Sequence, residues 1–297
     1  MTNLFCFGMG YSAIEFGQRL ASQGWTVAGT ARTAAGVARL QQQGFQAHIF
    51  DGSAAPADDH SPTDARLDAR FNAMTHAVIS IPPDAAGDPV LRNFGEALTS
   101  APHLRWIGYL STIGVYGDHQ GGWVDEATPP APGTDRSRRR AVAENAWLEF
   151  GGRTGKQVQI FRLAGIYGPG RSAIDNVFDG SARRIIKPGQ VFNRTHVADI
   201  AGVLEAAVAK SSKLSIFNVS DDEPAPPQDV IAYAAVLLGL PVPPGINFDD
   251  ATFSTMGRSF YSENKRVHND RIKAALGVVL QYPTYRDGLL ALSKTRR

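Results

Sequence analysis

Residues 8–13 read GMGYSA, and their types and spacing suit the binding of a pyrophosphate. They follow an apolar run, LFCFG, and open a helical stretch. Gly8 permits a tight turn, Gly10 lets backbone amides approach a phosphate and Ala13 allows the helix to pack closely, with Tyr11 and Ser12 in the same turn. In a strand, turn and helix at the head of an α/β chain this pattern points to a dinucleotide; the bland alternative is a glycine-rich turn without a ligand. About twenty residues further on, a carboxylate would grip the ribose hydroxyls of NAD. The second strand instead ends GTART, offering Thr30, Arg32 and Thr33. A guanidinium flanked by hydroxyls suits a 2′-phosphate through charge-assisted, bidentate hydrogen bonds, so NADP is favoured over NAD. Otherwise Arg32 is a loop cation. Asp51, after the third strand, is a candidate acceptor for the adenine amino group or a plain turn residue in DG. Ser80, after the fourth strand, lies where the cofactor would run or is a core hydroxyl.

A second stretch, PGTDRSRRRAVAEN at 132–145, carries Arg136, Arg138, Arg139 and Arg140 and then turns helical. It reads as a basic patch, a solvated helix start or part of an active site. Four cations at the positive end of a helix dipole are unfavourable unless an anion is near. The expectation is that Arg136 or Arg140 faces the ligand, that Arg138 and Arg139 are solvated, and that Asp135 acts as N-cap.

Such groups need a scaffold, and the chain spells one out. Strand-like runs LFCFG, WTVAGTAR, FQAHIFDG, THAVISIPP, LRWIGYLSTIGVYG and QVQIFRLAGIYGPG alternate with helical runs, with Ile14, Phe16 or Gly17, and Leu20 as inner positions of the first helix. Alternation of this kind gives right-handed crossovers and a parallel sheet: a Rossmann-type, doubly wound α/β fold. Beyond residue 170 the rhythm loosens into a smaller, mostly helical C-terminal substrate-binding domain with no sheet of its own. The expected division is 1–165 plus approximately 193–222 for the NADP-binding domain, and approximately 166–192 plus 223–297 for the substrate domain.

Composition narrows the partners. The 297 residues hold 30 basic and 28 acidic side chains, a balance that makes the arginine run local and argues against nucleic acid. The one cysteine, Cys6, leaves no internal disulfide or Cys-based zinc site and reads as a small buried hydrophobe. No metal site is expected. Without an apolar run long enough to span a bilayer or a basic leader, the expected location is the cytoplasm, with no membrane partner.

LSTIGVYG at 110–117, RLAGIYGPG at 162–170, THVADIA at 195–201 and FNVSDDEP at 217–224, together with the glycine turn, resemble the extended short-chain dehydrogenase/reductases, the NAD-dependent epimerases and dehydratases. The resemblance covers nearly the whole chain. It implies a Ser or Thr after the fifth strand, which falls on Thr112, and a Tyr and a Lys at the next helix start, which fall on Arg136 and Arg140, eight and four residues before Glu144. In that family the Tyr exchanges a proton with the substrate oxygen while the Lys lowers its pKa and holds the nicotinamide ribose. Arg140 can still donate to a ribose; Arg136 is a poor proton shuttle but can bind an anionic group or polarise a carbonyl. Two further departures, Gly165 for the usual Asn and Phe192 for an Arg that grips nucleotide phosphate, count against a nucleotide-sugar substrate. Tyr116, Tyr167 and His196 read as packing residues, and Asp125 and Glu126 as loop charges near the pocket mouth. The resemblance also implies a homodimer through helices near 87–101 and 139–150. The expected function is an NAD(P)-dependent oxidoreductase or epimerase/dehydratase-like enzyme acting on a small molecule, anionic if Arg136 meets it. The alternative is a non-catalytic NADP-binding redox sensor or partner-binding protein.

Overall fold

Each crossover of the N-terminal half follows the sequence's own punctuation. The computed structural model describes residues 2–53, 71–210, 212–253 and 255–296. Strand β1 (Asn3–Phe7) leads through the glycine turn into α1 (Tyr11–Ala21), followed by β2 (Thr26–Ala31), α2 (Ala34–Gln42), β3 (Gln46–Ile49), β4 (His76–Ile79), α3 (Pro89–Ser100), β5 (Trp106–Thr112), β6 (Trp123–Val124), α4 (Asp135–Thr154) and β7 (Gln157–Leu163). Helix α1 buries Ser12, Ala13, Phe16, Gly17 and Leu20; Ile14, expected inside, is half-buried. Helix α3 starts on Asp88, whose carboxylate accepts from the Val90 and Leu91 amides, with Pro89 in the first turn, where its missing N–H costs nothing.

The remaining elements are β8 (Gly165–Tyr167), α5 (Ala173–Phe178), β9 (Arg184–Ile186), β10 (Arg194–His196), α6 (Val197–Ala209), β11 (Ile216–Val219), α7 (Pro227–Leu238), β12 (Gly245–Asn247), α8 (Thr255–Phe260), β13 (Arg266–Val267), α9 (Asp270–Leu276) and α10 (Tyr285–Lys294). The seven-stranded sheet has the order β11-β7-β5-β4-β1-β2-β3, and β1 pairs in parallel with both β2 and β4. The chain therefore winds outward in one direction from β1 and then in the other from β4. That reversal is the switch point outside whose strand ends ligands of such sheets bind. It is the doubly wound fold expected from the sequence.

The chain divides into two compact units: Met1–Ser111, Arg138–Arg162 and Leu204–Phe217 in the first, and Thr112–Ser137, Leu163–Val203 and Asn218–Arg297 in the second. In the first, Phe5, Phe7, Phe71, Ile79, Leu98, Ile107, Tyr109, Trp147 and Ile160 belong to one core cluster. Cys6 is fully buried there, and desolvation pushes its thiol up to about 12, so it is the inert hydrophobe that its setting suggested. In the second unit α5, α7 and α10 close over Tyr167, Ile174, Ala234, Tyr285 and Leu289. This region does carry sheet, contrary to expectation: β10 pairs with β8, β12 with β9 and β13 with β6, all in parallel. Strands of two or three residues are too short to show a period of two. Among the described residues no helix is long and apolar enough to cross a membrane, and no group of His, Cys, Asp and Glu is placed to hold a metal.

Two buried histidines give the fold a pH dependence. His76, between the Trp25 and Trp106 rings, and His196, between Tyr167 and Tyr282, are each pushed down by burial to about 4 from the ordinary 6.5. A depressed folded pKa contributes stability that is present above 6.5 and lost as pH falls through about 4. Each neutral ring should therefore account for about 2 kcal/mol of stability lost between pH 7 and 5. Urea midpoints at the two pH values should converge in a His76→Gln, His196→Asn double variant; an unchanged gap would exclude these rings as its source.

Candidate functional site

In the first unit the glycine turn is fixed by backbone geometry and by one hydroxyl. Gly8 has φ +85°, and a Cβ there would lie 2.8 Å from the Ile81 side chain and 3.3 Å from its amide nitrogen, so only glycine fits beside the end of β4. The Gly8 amide donates to the buried Thr30 Oγ1 (2.8 Å) and the Met9 amide to the Thr30 carbonyl (2.8 Å). Gly8, Thr30 and the Ser80–Ile81 backbone thus meet at the ends of β1, β2 and β4. Thr30, expected to face the cofactor, spends its oxygen on the turn that would hold it.

Around a Cβ built on Gly10 there is nothing within 4 Å, α1 has no side-chain cap and no acidic residue occupies its first turn. A helix start without a side-chain cap, reached past a glycine with room beside it, is what a pyrophosphate requires. Arg32 is exposed and has no hydrogen-bond or ion-pair partner among the described residues. Next to it Thr33 accepts from the Gly36 amide (3.1 Å) as N-cap of α2, which leaves its hydroxyl proton to donate. Asp51 is exposed and accepts from the Ser53 amide (2.8 Å) and hydroxyl, bonds that lower its pKa. Ser80 is half-buried, its amide bonded to the Phe7 carbonyl (2.9 Å). These groups have the chemistry to hold a dinucleotide.

Helix α4 is pinned by a buried ion pair that sequence reading used only as a landmark. Arg162 Nη2 lies 2.7 Å from Glu144 Oε2, its Nε bonds both carboxylate oxygens at 3.1–3.2 Å, and Ser111 Oγ donates to Oε1 at 2.5 Å. One turn earlier, on the same stripe, Arg140 is half-buried and donates to Tyr109 Oη (3.0 Å) and the Leu110 carbonyl (2.9 Å). Its guanidinium turns toward the end of β5 rather than into solvent.

In the second unit Thr112 caps a turn of 3-10 helix at Ile113–Tyr116, its Oγ1 accepting from the Gly114 amide (3.1 Å). Thr134, rather than the expected Asp135, caps the start of α4: its Oγ1 accepts from the Ser137 amide (3.2 Å) and donates to Ser137 Oγ (3.0 Å). Arg136 is exposed, with its guanidinium 5.4 Å from the Phe260 ring centre. Glu126, expected as a loop charge near the pocket mouth, has its side chain 4% exposed, accepts from the Asn218 amide (2.8 Å) and faces Arg271 at 3.4 Å, and burial raises its pKa. Tyr116 is buried and donates to Asn218 Oδ1 (2.6 Å).

The segment 261–268 ties the stretch 117–121 to the turn at Gly189. Lys265 Nζ donates to the Gly117 carbonyl (2.5 Å) and meets Glu263 (2.6 Å), while Asn264 Nδ2 donates to the Gly189 carbonyl (2.9 Å) and Asn193 Nδ2 to the Lys265 carbonyl (2.9 Å). The His119 and Gly121 amides donate to the Asn264 carbonyl at 3.0 and 2.9 Å. The only hint of this in the sequence is the polar run SENKR, which resembles any surface loop. Gly165, standing where the resemblance expects Asn, donates its amide to the Asn193 carbonyl (3.0 Å), and a Cβ on it would lie 3.1 Å from the same oxygen. Phe192 sets its ring against Tyr261, 5.1 Å between centres.

No protein-family model matches the chain. A conserved protein of unknown function from Silicibacter pomeroyi DSS is 47% identical, with a TM-score of 0.87 over 100% of this chain and 99% of that one. Protein YeeZ of Escherichia coli (strain K12) is 29% identical over 95% of this chain and 97% of its own length. A candidate NAD-dependent epimerase/dehydratase from Methylobacillus flagellatus is 26% identical, with a TM-score of 0.72 over 100% of this chain and 99% of that one. The fold is also that of UDP-glucuronic acid 4-epimerase from Bacillus cereus, solved in complex with NAD (17% identity, TM-score 0.75, over 99% and 96% of the two chains). The chain is a member of the extended short-chain dehydrogenase/reductase superfamily, among the NAD-dependent epimerase/dehydratase-like proteins. Within it, the chain belongs to one family with the Silicibacter protein.

Proposed function

We propose that the protein is an NADP-dependent oxidoreductase or epimerase/dehydratase-like enzyme acting on a small anionic carbonyl or hydroxyl compound. The observation that carries the cofactor half is the pairing of an uncapped glycine turn with Arg32, an exposed guanidinium with no hydrogen-bond or ion-pair partner among the described residues, beside the Thr33 hydroxyl. When bound, the cofactor supplies or accepts the hydride; the protein orients and polarises. Gly8, Gly10, Tyr11, Ser12 and Ala13 would hold the pyrophosphate, Arg32 and Thr33 the 2′-phosphate, Asp51 the adenine end, and Ser80 and Arg140 the nicotinamide side. Thr112 would donate to the substrate oxygen and Arg136 would meet a carboxylate or phosphate. In this reading 1–165 with approximately 193–222 serves the cofactor and the rest of the chain the substrate. Gly165 and Phe192, standing where the resemblance expects an Asn and a phosphate-gripping Arg, favour a substrate other than a nucleotide sugar.

The test is a fluorescence titration with NADPH and NADH, repeated on Arg32→Ala. Loss of one charge-assisted contact to phosphate should weaken NADPH about ten- to hundredfold and leave NADH nearly unchanged. Equal weakening of both, or no binding of either, would end the assignment. A second reading, a non-catalytic NADP-binding sensor, is favoured by Arg136 alone, since a guanidinium on Phe260 is no proton shuttle. Tight NADPH binding without turnover over a panel of 2-oxo acids and sugar acids would select it.

A further inference from the structure

Where the resemblance expects a lysine the chain has Arg140, and the exchange alters what the position needs. A lysine ammonium is a compact point charge, whereas a guanidinium is a planar fork that serves a ligand only when its plane is held. Arg140 is half-buried, and Nη1 alone makes its hydrogen bonds to the protein, to Tyr109 Oη (3.0 Å) and the Leu110 carbonyl (2.9 Å). Its guanidinium carbon lies 5.5 Å from the centre of the Tyr109 ring. Nε and Nη2 have no hydrogen-bond partner among the described residues. One nitrogen is thus tethered at two points, and the Nε–Nη2 edge of the fork keeps its donors.

Tyr109 has no other use for its hydroxyl. The residue is fully buried in β5, in the same core cluster as Trp147, where packing alone asks only for an aromatic ring. A phenol oxygen taken out of water there costs free energy unless it is hydrogen-bonded, and among the described residues its one partner is Arg140. Burial raises the Tyr109 pKa, so the group stays a neutral phenol whose oxygen accepts from the guanidinium. Asp88, the N-cap of α3, lies within electrostatic reach of both: burial raises its carboxyl, and its amide bonds, Trp147 and the Arg140 charge oppose that rise. Two donors side by side on one edge match two adjacent oxygens, and a ribose presents such a pair in its vicinal hydroxyls.

We propose that Tyr109 is the positioning residue of Arg140: with the Leu110 carbonyl it holds Nη1, so that the Nε–Nη2 edge receives the vicinal hydroxyls of the nicotinamide ribose. The proposal rests on the reading of Arg140 as a cofactor residue and supplies what lets an arginine serve in place of a lysine. In this arrangement Tyr109 touches neither cofactor nor substrate and moves no proton.

The test uses two ligands, NADPH and adenosine 2′,5′-bisphosphate, which is the part of NADP that lacks the nicotinamide ribose. Both are titrated into the wild type, Tyr109→Phe, Arg140→Ala and the double variant. Arg140→Ala should weaken NADPH about tenfold or more and Tyr109→Phe about three- to tenfold, the loss of a direct and of an indirect hydrogen-bonding contribution. The double variant should bind NADPH like Arg140→Ala, because without the guanidinium the hydroxyl has nothing to position. Every variant should bind the bisphosphate within about twofold of the wild type, which a residue that merely held the fold together would not allow. Unchanged NADPH affinity in Tyr109→Phe while Arg140→Ala is weakened would overturn the positioning role and leave the cofactor reading standing. Equal weakening of both ligands in Tyr109→Phe, or additive losses in the double variant, would overturn it as well, by making the hydroxyl structural. A wild type that binds neither ligand would end the cofactor reading and the proposal together.

Discussion

Replacing Arg162 with methionine should destabilise the protein by about 3–5 kcal/mol, because it leaves the Glu144 carboxylate buried without its counter-charge. Both side chains are 3% exposed, so water cannot take over the missing contact. Marginal stability of about 5–15 kcal/mol makes such a loss a large fraction of the whole. A Glu144→Met, Arg162→Met double variant should regain most of it, since a buried pair replaced by apolar groups of similar volume is often close to neutral. The Ser111 hydroxyl, which donates to Glu144, limits the recovery. Chemical denaturation of the single and double variants gives the answer; equal stabilities would show that the pair is not coupled. The same variants bear on function, because Arg140 sits one turn before Glu144 and its hold on Tyr109 and Leu110 depends on how α4 is rotated.

The contrast between this pair and the glycine turn shows where the sequence was informative. Features built from one contiguous stretch were legible: a glycine turn between an apolar run and a helix, an arginine where a ribose-binding carboxylate would be, and the alternation that dictates the sheet. Features built from distant residues were not. Glu144 and Arg162 are 18 residues apart, and Lys265 reaches the Gly117 carbonyl across 148 residues. Each looks like an ordinary surface charge until the fold buries it. Thr30 shows a subtler limit. Its place near the end of β2 was legible, but its hydroxyl binds the Gly8 amide, a partner that side-chain chemistry alone does not reveal. Asp135 and Thr134 differ by one position, and the cap falls to the residue whose oxygen reaches the Ser137 amide.

Gly29 was passed over for a related reason: a glycine inside VAGTAR reads as a weak spot in a strand, although it is the residue on which the turn closes. It pairs with Cys6 across β1 and β2. A Cβ on it would lie 2.4 Å from Met9 Cγ, 2.7 Å from Met9 Sδ and 2.5 Å from the Cys6 carbonyl oxygen. The methionine can swing aside at some cost, but the carbonyl belongs to a central strand and cannot. Gly29→Ala should therefore cost about 2–3 kcal/mol as overpacking and push the Gly8–Gly10 turn away from the end of β2. Because Gly8 and Met9 are both bonded to Thr30, the next residue along, that displacement falls on the amides proposed to hold the pyrophosphate. NADPH affinity should drop at least tenfold, and NADH equally, in contrast to the selective effect expected of Arg32→Ala. Adding Met9→Ala should recover stability in part but not the turn, since the clash with Cys6 remains. If Gly29→Ala melts normally yet binds neither nucleotide, the turn moves without strain; if it binds NADPH like the wild type, the amides of the turn do not hold the cofactor.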